Sequence, residues 1–138
     1  MLNNDQIVRC LREVAIIMKH EFSTDDIHHV EANQRNYSES DLVEFKRDLV
    51  EAGNKIRVLF MEYHLDNSSF QEFFANQNTP VLAFIQRDGI KPVLLSVNKK
   101  KIQVTYFSTE NTSIDQVSSI SAIPFLKNNQ GEICHGSF

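Results

Sequence analysis

The sequence predicts an α+β fold in a single domain, with N-terminal helices packed on an antiparallel sheet. Three observations carry that expectation. Apolar residues recur at spacings of three and four through the first part of the chain, short apolar runs rich in β-branched residues follow, and the two kinds of segment do not alternate as a parallel βαβ arrangement requires. At 138 residues the chain suits one core. A fold of that size buries roughly 68–70% of the surface its unfolded chain exposes.

From Asn3 to His20, Ile7, Leu11, Val14 and Met18 fall on one helical face, widened by Val8, Ala15 and Ile17. Ser23 to Asp26 then offers hydroxyl and carboxylate groups to the unpaired amides of a second, short helix carrying Ile27 and Val30. A third helix is expected from Ser38 to Ala52, with Leu42, Phe45 and Leu49 on its apolar face and Gly53 as a left-handed stop. The run Ile56 to Met61 reads as a strand, and Ser68-Ser69 before Phe70, Phe73 and Phe74 as a capped helical turn.

Three apolar runs, Val81 to Ile85, Val93 to Val97 and Ile102 to Phe107, are separated by Arg87-Asp88-Gly89 and by Asn98 to Lys101, which are turn compositions. They predict an antiparallel meander. Beyond Ser108, Ile114, Val117 and Ile120 to Ile123 suggest a further short helix that Pro124 interrupts, and Ile133 to Phe138 a last edge segment.

A hydrophobic share of 41%, a charged share of 23%, three Pro and four Gly argue for a folded chain rather than a disordered one. The formal charge of -4 supplies no broad positive field for phosphates, so nucleic acid is not an expected partner. The basic run Lys99-Lys100-Lys101 reads as a solvated hairpin turn. Two distant cysteines, Cys10 and Cys134, make no disulfide framework, and no secretory signal is visible, which points to the reducing cytoplasm. No apolar run approaches the roughly 20 residues of a membrane span.

Catalytic motifs are sparse. Cys10 lies about one turn inside the first helix with no histidine beside it, and Cys134 and His135, as neighbours in an extended segment, point to opposite faces. His28 and His29 are adjacent on a helix and do not share a face. Asp25, Asp26, Glu39, Asp41 and Glu44 suit helix starts better than acid–base chemistry. There is no glycine-rich phosphate loop, no paired Cys-x-x-Cys and no nucleophile elbow, so no cofactor and no ATP site is expected within these residues.

The helix Arg9-Cys10-Leu11 to Met18-Lys19-His20, the Ser38 to Gly53 helix, the strand from Ile56, and Thr79-Pro80-Val81-Leu82-Ala83-Phe84-Ile85 with Asp88-Gly89 and Val93-Leu94-Leu95-Ser96-Val97 resemble a known family. It is that of the N-terminal domains of ABC exporters related to bacteriocin-processing cysteine peptidases, and the resemblance covers about residues 5 to 110. It implies a papain-like α+β fold. In active members a Gln and then a Cys-Gly pair open the first helix, a His follows the Asp-Gly turn and an Asp ends the next strand.

Here the Cys position falls on Arg9, or on Cys10 with one residue of slippage; the His position falls on Lys91 or Ile90; the Asp position falls on Phe107 or Ser108; and Asn3 or Asn4 stands near the Gln. A protonated lysine is no neutral base near pH 7 and phenylalanine cannot orient one. The resemblance therefore implies a degenerate, non-enzymatic version, in which any ATPase activity lies outside this chain. Its expected role is a cytoplasmic docking module that presents an unfolded secreted polypeptide to the remainder of an ABC exporter. Tyr63, Phe73, Phe74, Tyr106 and Phe107 are the candidates to line its apolar groove. The alternatives are a residual cysteine hydrolase pairing Cys10 with His20, His28 or His64, and a free-standing adaptor of the same fold.

Overall fold

A capping box starts the first helix: the Asn3 carboxamide accepts the Gln6 N–H at 3.1 Å, and the Gln6 carboxamide oxygen accepts the Asn3 N–H at 2.8 Å. Two of the amides that a helix start leaves unpaired are satisfied reciprocally. The structure, a computed structural model, describes residues 2–19, 35–65, 67–76, 79–86, 90–119 and 133–137; for 39, 63–65, 67–68, 85–86, 90 and 133–137 it describes the backbone. Strand β1 (Leu2–Asn3) leads into helix α1 (Asn4–Ile17), whose Ile7, Leu11 and Val14 are buried as their spacing predicts. The helix ends earlier than His20, because Lys19 takes a left-handed φ of 54°. The predicted second helix, with His28 and His29, lies outside the described residues.

Strand β2 (Asn36–Tyr37) pairs with β1 and is anchored to helix α2 (Leu42–Lys55), which follows a 3-10 turn at Glu39–Asp41. The Tyr37 hydroxyl donates to Asp48 at 2.5 Å, while Arg35 lies 4.7 Å over the Tyr37 ring and pairs with Glu44 and Asp48. Edge-on ring contacts run from Tyr37 to Phe45 and from Phe45 to Phe84, linking β2 through α2 to the sheet.

The end of α2 corrects two expectations. Gly53 is inside the helix, and the left-handed residue is Arg57 at φ 64°. Val58 N–H donates to Gly53 O at 2.8 Å and Arg57 N–H to Asn54 O at 3.2 Å, the pair of bonds of a Schellman stop. Gly53 is needed for space: a Cβ there would sit 2.7 Å from the Phe60 ring and 2.8 Å from Val58 O. Ile56 and Val58 are buried as loop anchors, and strand β3 spans Met61–Leu65 rather than starting at Ile56.

Helix α3 (Asn67–Ala75) is followed by β4 (Val81–Gln86), β5 (Ile90–Asn98) and β6 (Lys101–Phe107), the predicted meander. The turn between β5 and β6 is two residues, Lys99 and Lys100, with φ of 51° and 68°, the backbone of a tight hairpin normally built from Asn and Gly. After Phe107 the chain turns again into β7 (Thr112–Val117). Ile114 and Val117 therefore lie in a strand and not in the expected helix; residues 120–132 are outside the description. Strand β8 (Ile133–Ser137) corrects a further expectation, since it pairs with both β3 and β4 and is interior.

The described strands of the main sheet run β3-β8-β4-β5-β6-β7, every neighbour antiparallel. Helices over an antiparallel sheet make this an α+β architecture. Strand alternation gives it two covered faces. Leu82, Phe84, Leu94 and Phe107 pack under α1 and α2, while Val81, Ala83, Val93, Leu95, Ile102 and Val104 pack under Phe70 and Phe74 of α3. No helix among the described residues is long and apolar enough to cross a membrane.

Candidate functional site

Of the positions singled out by the resemblance, Arg9 and Phe107 lie where the start of α1 meets the end of β6. Gln6 is the pivot there. Its carboxamide oxygen closes the capping box, and its Nε2 donates to Phe107 O at 2.8 Å in a buried bond. One side chain thus satisfies the helix start and the last residue of β6 together. The sequence reading passed over Gln6, although the Asn-x-x-Gln spacing of a capping box is visible in it. The bond to Phe107 joins residues far apart in the chain and leaves no local signature.

Arg9, at the aligned nucleophile position, is a clamp. Its Nε donates to Asp5 Oδ2 at 2.8 Å and its Nη1 to Thr112 Oγ1 at 2.9 Å, and its Nη2 donates to the Ser108 carbonyl. The rigid guanidinium fork thereby fixes the turn between β6 and β7 against α1. Cys10, the alternative nucleophile, is free and only 2% exposed. Burial pushes its thiol well above the usual range, and Glu13 pushes it further in the same direction. At neutral pH it is a protonated thiol with the packing role of a small apolar group.

Lys91 is exposed on β5, paired with Ile85, on the face of the sheet that α3 covers. Phe107 is fully buried on the opposite face, under α1. The aligned positions Arg9, Lys91 and Phe107 therefore do not converge on one reaction centre. Asn3 serves as the cap of α1, and the Asn4 N–H donates to Arg35 O at 3.0 Å. Of the histidines weighed as partners for Cys10, His20 and His28 lie outside the described residues, and the backbone of His64 pairs with Cys134 between β3 and β8. Among the described residues no three His, Cys, Asp or Glu side chains gather as metal ligands do.

Four of the five candidate groove residues divide between the two faces of the sheet. Phe107 and Phe74 are buried, on opposite faces of the sheet, because Phe107 points under α1 while Phe74 stacks on Phe70 with ring centres 6.1 Å apart. Tyr106, adjacent to Phe107 on the strand, points to the other face and with Phe73 packs half-buried against the α3 cluster. Tyr63 lies in β3, described by its backbone. Phe107 therefore lies apart from Phe73, Phe74 and Tyr106, which share the other face.

Exposed apolar surface is found elsewhere. An open cleft of about 660 Å³ is lined by Ile17, Met18, Ala75, Pro80 and Val97 together with the polar Thr79 and Ser96. Met18 and Val97 are exposed in it, and Ile16 is exposed one residue before its Ile17 wall. Sequence reading assigned Met18 to the core because it extends the α1 stripe; the early end of the helix leaves it at the surface.

Set against known protein families, curated proteins and solved structures, the chain matches none.

Proposed function

We propose that this chain is a non-catalytic docking domain with a papain-like peptidase fold, which binds an unfolded secreted polypeptide in the cytoplasm for the remainder of an ABC-type exporter. The resemblance of its helices, meander and Asp88-Gly89 turn to that family supplies the partner class. The observation that carries the reading is the use of the peptidase corner as a joint. Gln6 and Arg9 spend their hydrogen bonds on Phe107 O, Ser108 O and Thr112 Oγ1, and Cys10 is buried and protonated. Nucleophilic catalysis needs a thiolate, and burial holds Cys10 as the thiol.

An unfolded segment must gain enough contact to offset the entropy of ordering it. The cleft beside Met18 and Val97 offers apolar contact of that kind. The test is an NMR titration of the full chain with an unfolded secretion substrate encoded near its gene. Saturable shifts are expected, and flat spectra across a panel of such substrates would remove the docking reading. Membrane spans and an ATP-binding motif encoded in frame beyond Phe138 are expected; a stop codon there would favour the free-standing adaptor instead.

A further inference from the structure

The β6–β7 pairing fixes which backbone groups of β7 point away from β6. Ser108 N–H donates to Asn111 O at 3.0 Å, so Ser108 and Asn111 form a hydrogen-bonded pair at the mouth of the hairpin. Hydrogen-bonded and non-hydrogen-bonded pairs alternate along an antiparallel ladder. Ser113, Asp115 and Val117, opposite Tyr106, Val104 and Ile102, therefore turn their N–H and C=O groups toward β6. Thr112, Ile114 and Gln116 turn theirs outward. Among the described residues no strand pairs with that side of β7.

From this edge we infer a strand-addition site: β7 takes an extended segment of unfolded polypeptide as the next strand of the sheet, hydrogen-bonded to Thr112, Ile114 and Gln116. The inference rests on the docking reading above and gives it a place and a geometry. Only an extended backbone matches a row of alternating donors and acceptors, which is how sheet edges capture peptides. The edge is pre-positioned, because Arg9 holds Thr112 from α1, and less ordering remains to oppose binding.

Natural edges are commonly blocked by lysine, proline or a bulge. Strand β7 has neither Lys nor Pro, and its register with β6 is unbroken from Thr112 to Val117. Its side chains also specify the guest. Ile114 is 52% exposed on the α1 face, so it favours an apolar residue opposite it, and exposed Asp115 on the other face favours a neighbouring Lys or Arg. The guest is an apolar position with a basic residue beside it.

The test is residue-resolved amide exchange of the full chain, alone and with a short synthetic peptide alternating valine with lysine and serine. In the free protein the amides of Thr112, Ile114 and Gln116 should exchange on the order of 100-fold faster than those of Ser113, Asp115 and Val117. The peptide should slow the first three selectively. Ile114→Pro deletes one outward N–H while leaving the β6 bonds, and should weaken binding at least about tenfold. Asp115→Lys, at an exposed position that keeps the fold, should shift preference to a glutamate-bearing version of the peptide.

Protection of the three amides in the free protein at every concentration would overturn the inference, since the edge would already be covered. Protection that grows with protein concentration without peptide would assign the edge to a second copy of the chain. If unfolded substrates bind while protection appears at Met18 and Val97 instead, the β7 site fails and the docking reading stands. If neither peptide nor unfolded substrate binds, the docking reading itself fails.

Discussion

Strands β6 and β7 are neighbours of similar length, paired residue for residue, yet they live in different surroundings. In β6, Ile102, Val104, Thr105 and Phe107 are buried. In β7, Ser113 to Gln116 are all exposed, and only its ends are half-covered. The difference comes from what lies above them. Helix α1 covers β6 and bonds to its end through Gln6, whereas it reaches β7 through the Arg9 bond to Thr112. Burial fixes the first strand, and ladder pairing fixes the second.

The largest expected contrast is therefore between two truncations. Phe107→Ala should cost about 3–5 kcal/mol, the range for a buried aromatic, while Ile114→Ala should stay within about 0.5 kcal/mol. Urea denaturation of both variants measures this, and equal losses would break the comparison. Next in size, Gln6→Ala strands the Asn3 N–H and the Phe107 carbonyl at once. A loss of about 2–3 kcal/mol is expected, and a loss no greater than that of an ordinary surface substitution would show that the joint contributes little.

The two turns that flank β6 sharpen the contrast further. The Ser108 to Asn111 turn is satisfied by its own side chains, with Ser108 Oγ accepting the Asn111 N–H at 3.0 Å. The Lys99-Lys100 turn instead holds two bulky residues left-handed, at about 1–2 kcal/mol each. Lys100→Gly should raise stability by about 1 kcal/mol, read as a higher thermal midpoint. Smallest of all, Thr105 is buried in β6 with its Oγ1 unpartnered among the described residues, so Thr105→Val should be neutral or stabilising by up to about 1 kcal/mol in the same denaturation assay.

Much of this architecture is legible in the sequence where periodicity and burial agree. The stripe Ile7, Leu11, Val14 and the runs of β4, β5 and β6 are buried on the faces their spacing assigns. Legibility fails where another structure produces the same pattern. Ile56 and Val58 alternate as a strand does, but a left-handed Arg57 between them makes a loop that buries both. Ile114 and Val117 are three apart as in a helix, yet they pair with Thr105 and Ile102.

Strand β8 was unreadable as an interior strand because its place depends on pairing with β3 and β4, far away in sequence. The site divides in the same way. The side chains at Arg9, Lys91 and Phe107 can be read from the sequence, whereas the placement of adjacent Tyr106 and Phe107 in different layers depends on the sheet that forms between them.

That the corner formed by Gln6, Arg9 and the end of β6 is a structural joint is tested most directly by the chemistry of Cys10. In a Cys134→Ser background, iodoacetamide should modify Cys10 far more slowly than a free thiol at pH 7, at a rate that rises with urea as the protein opens, because burial keeps the thiol protonated and shielded. Labelling of the folded protein faster than a free thiol, independent of urea, would mean an exposed thiolate and contradict the account.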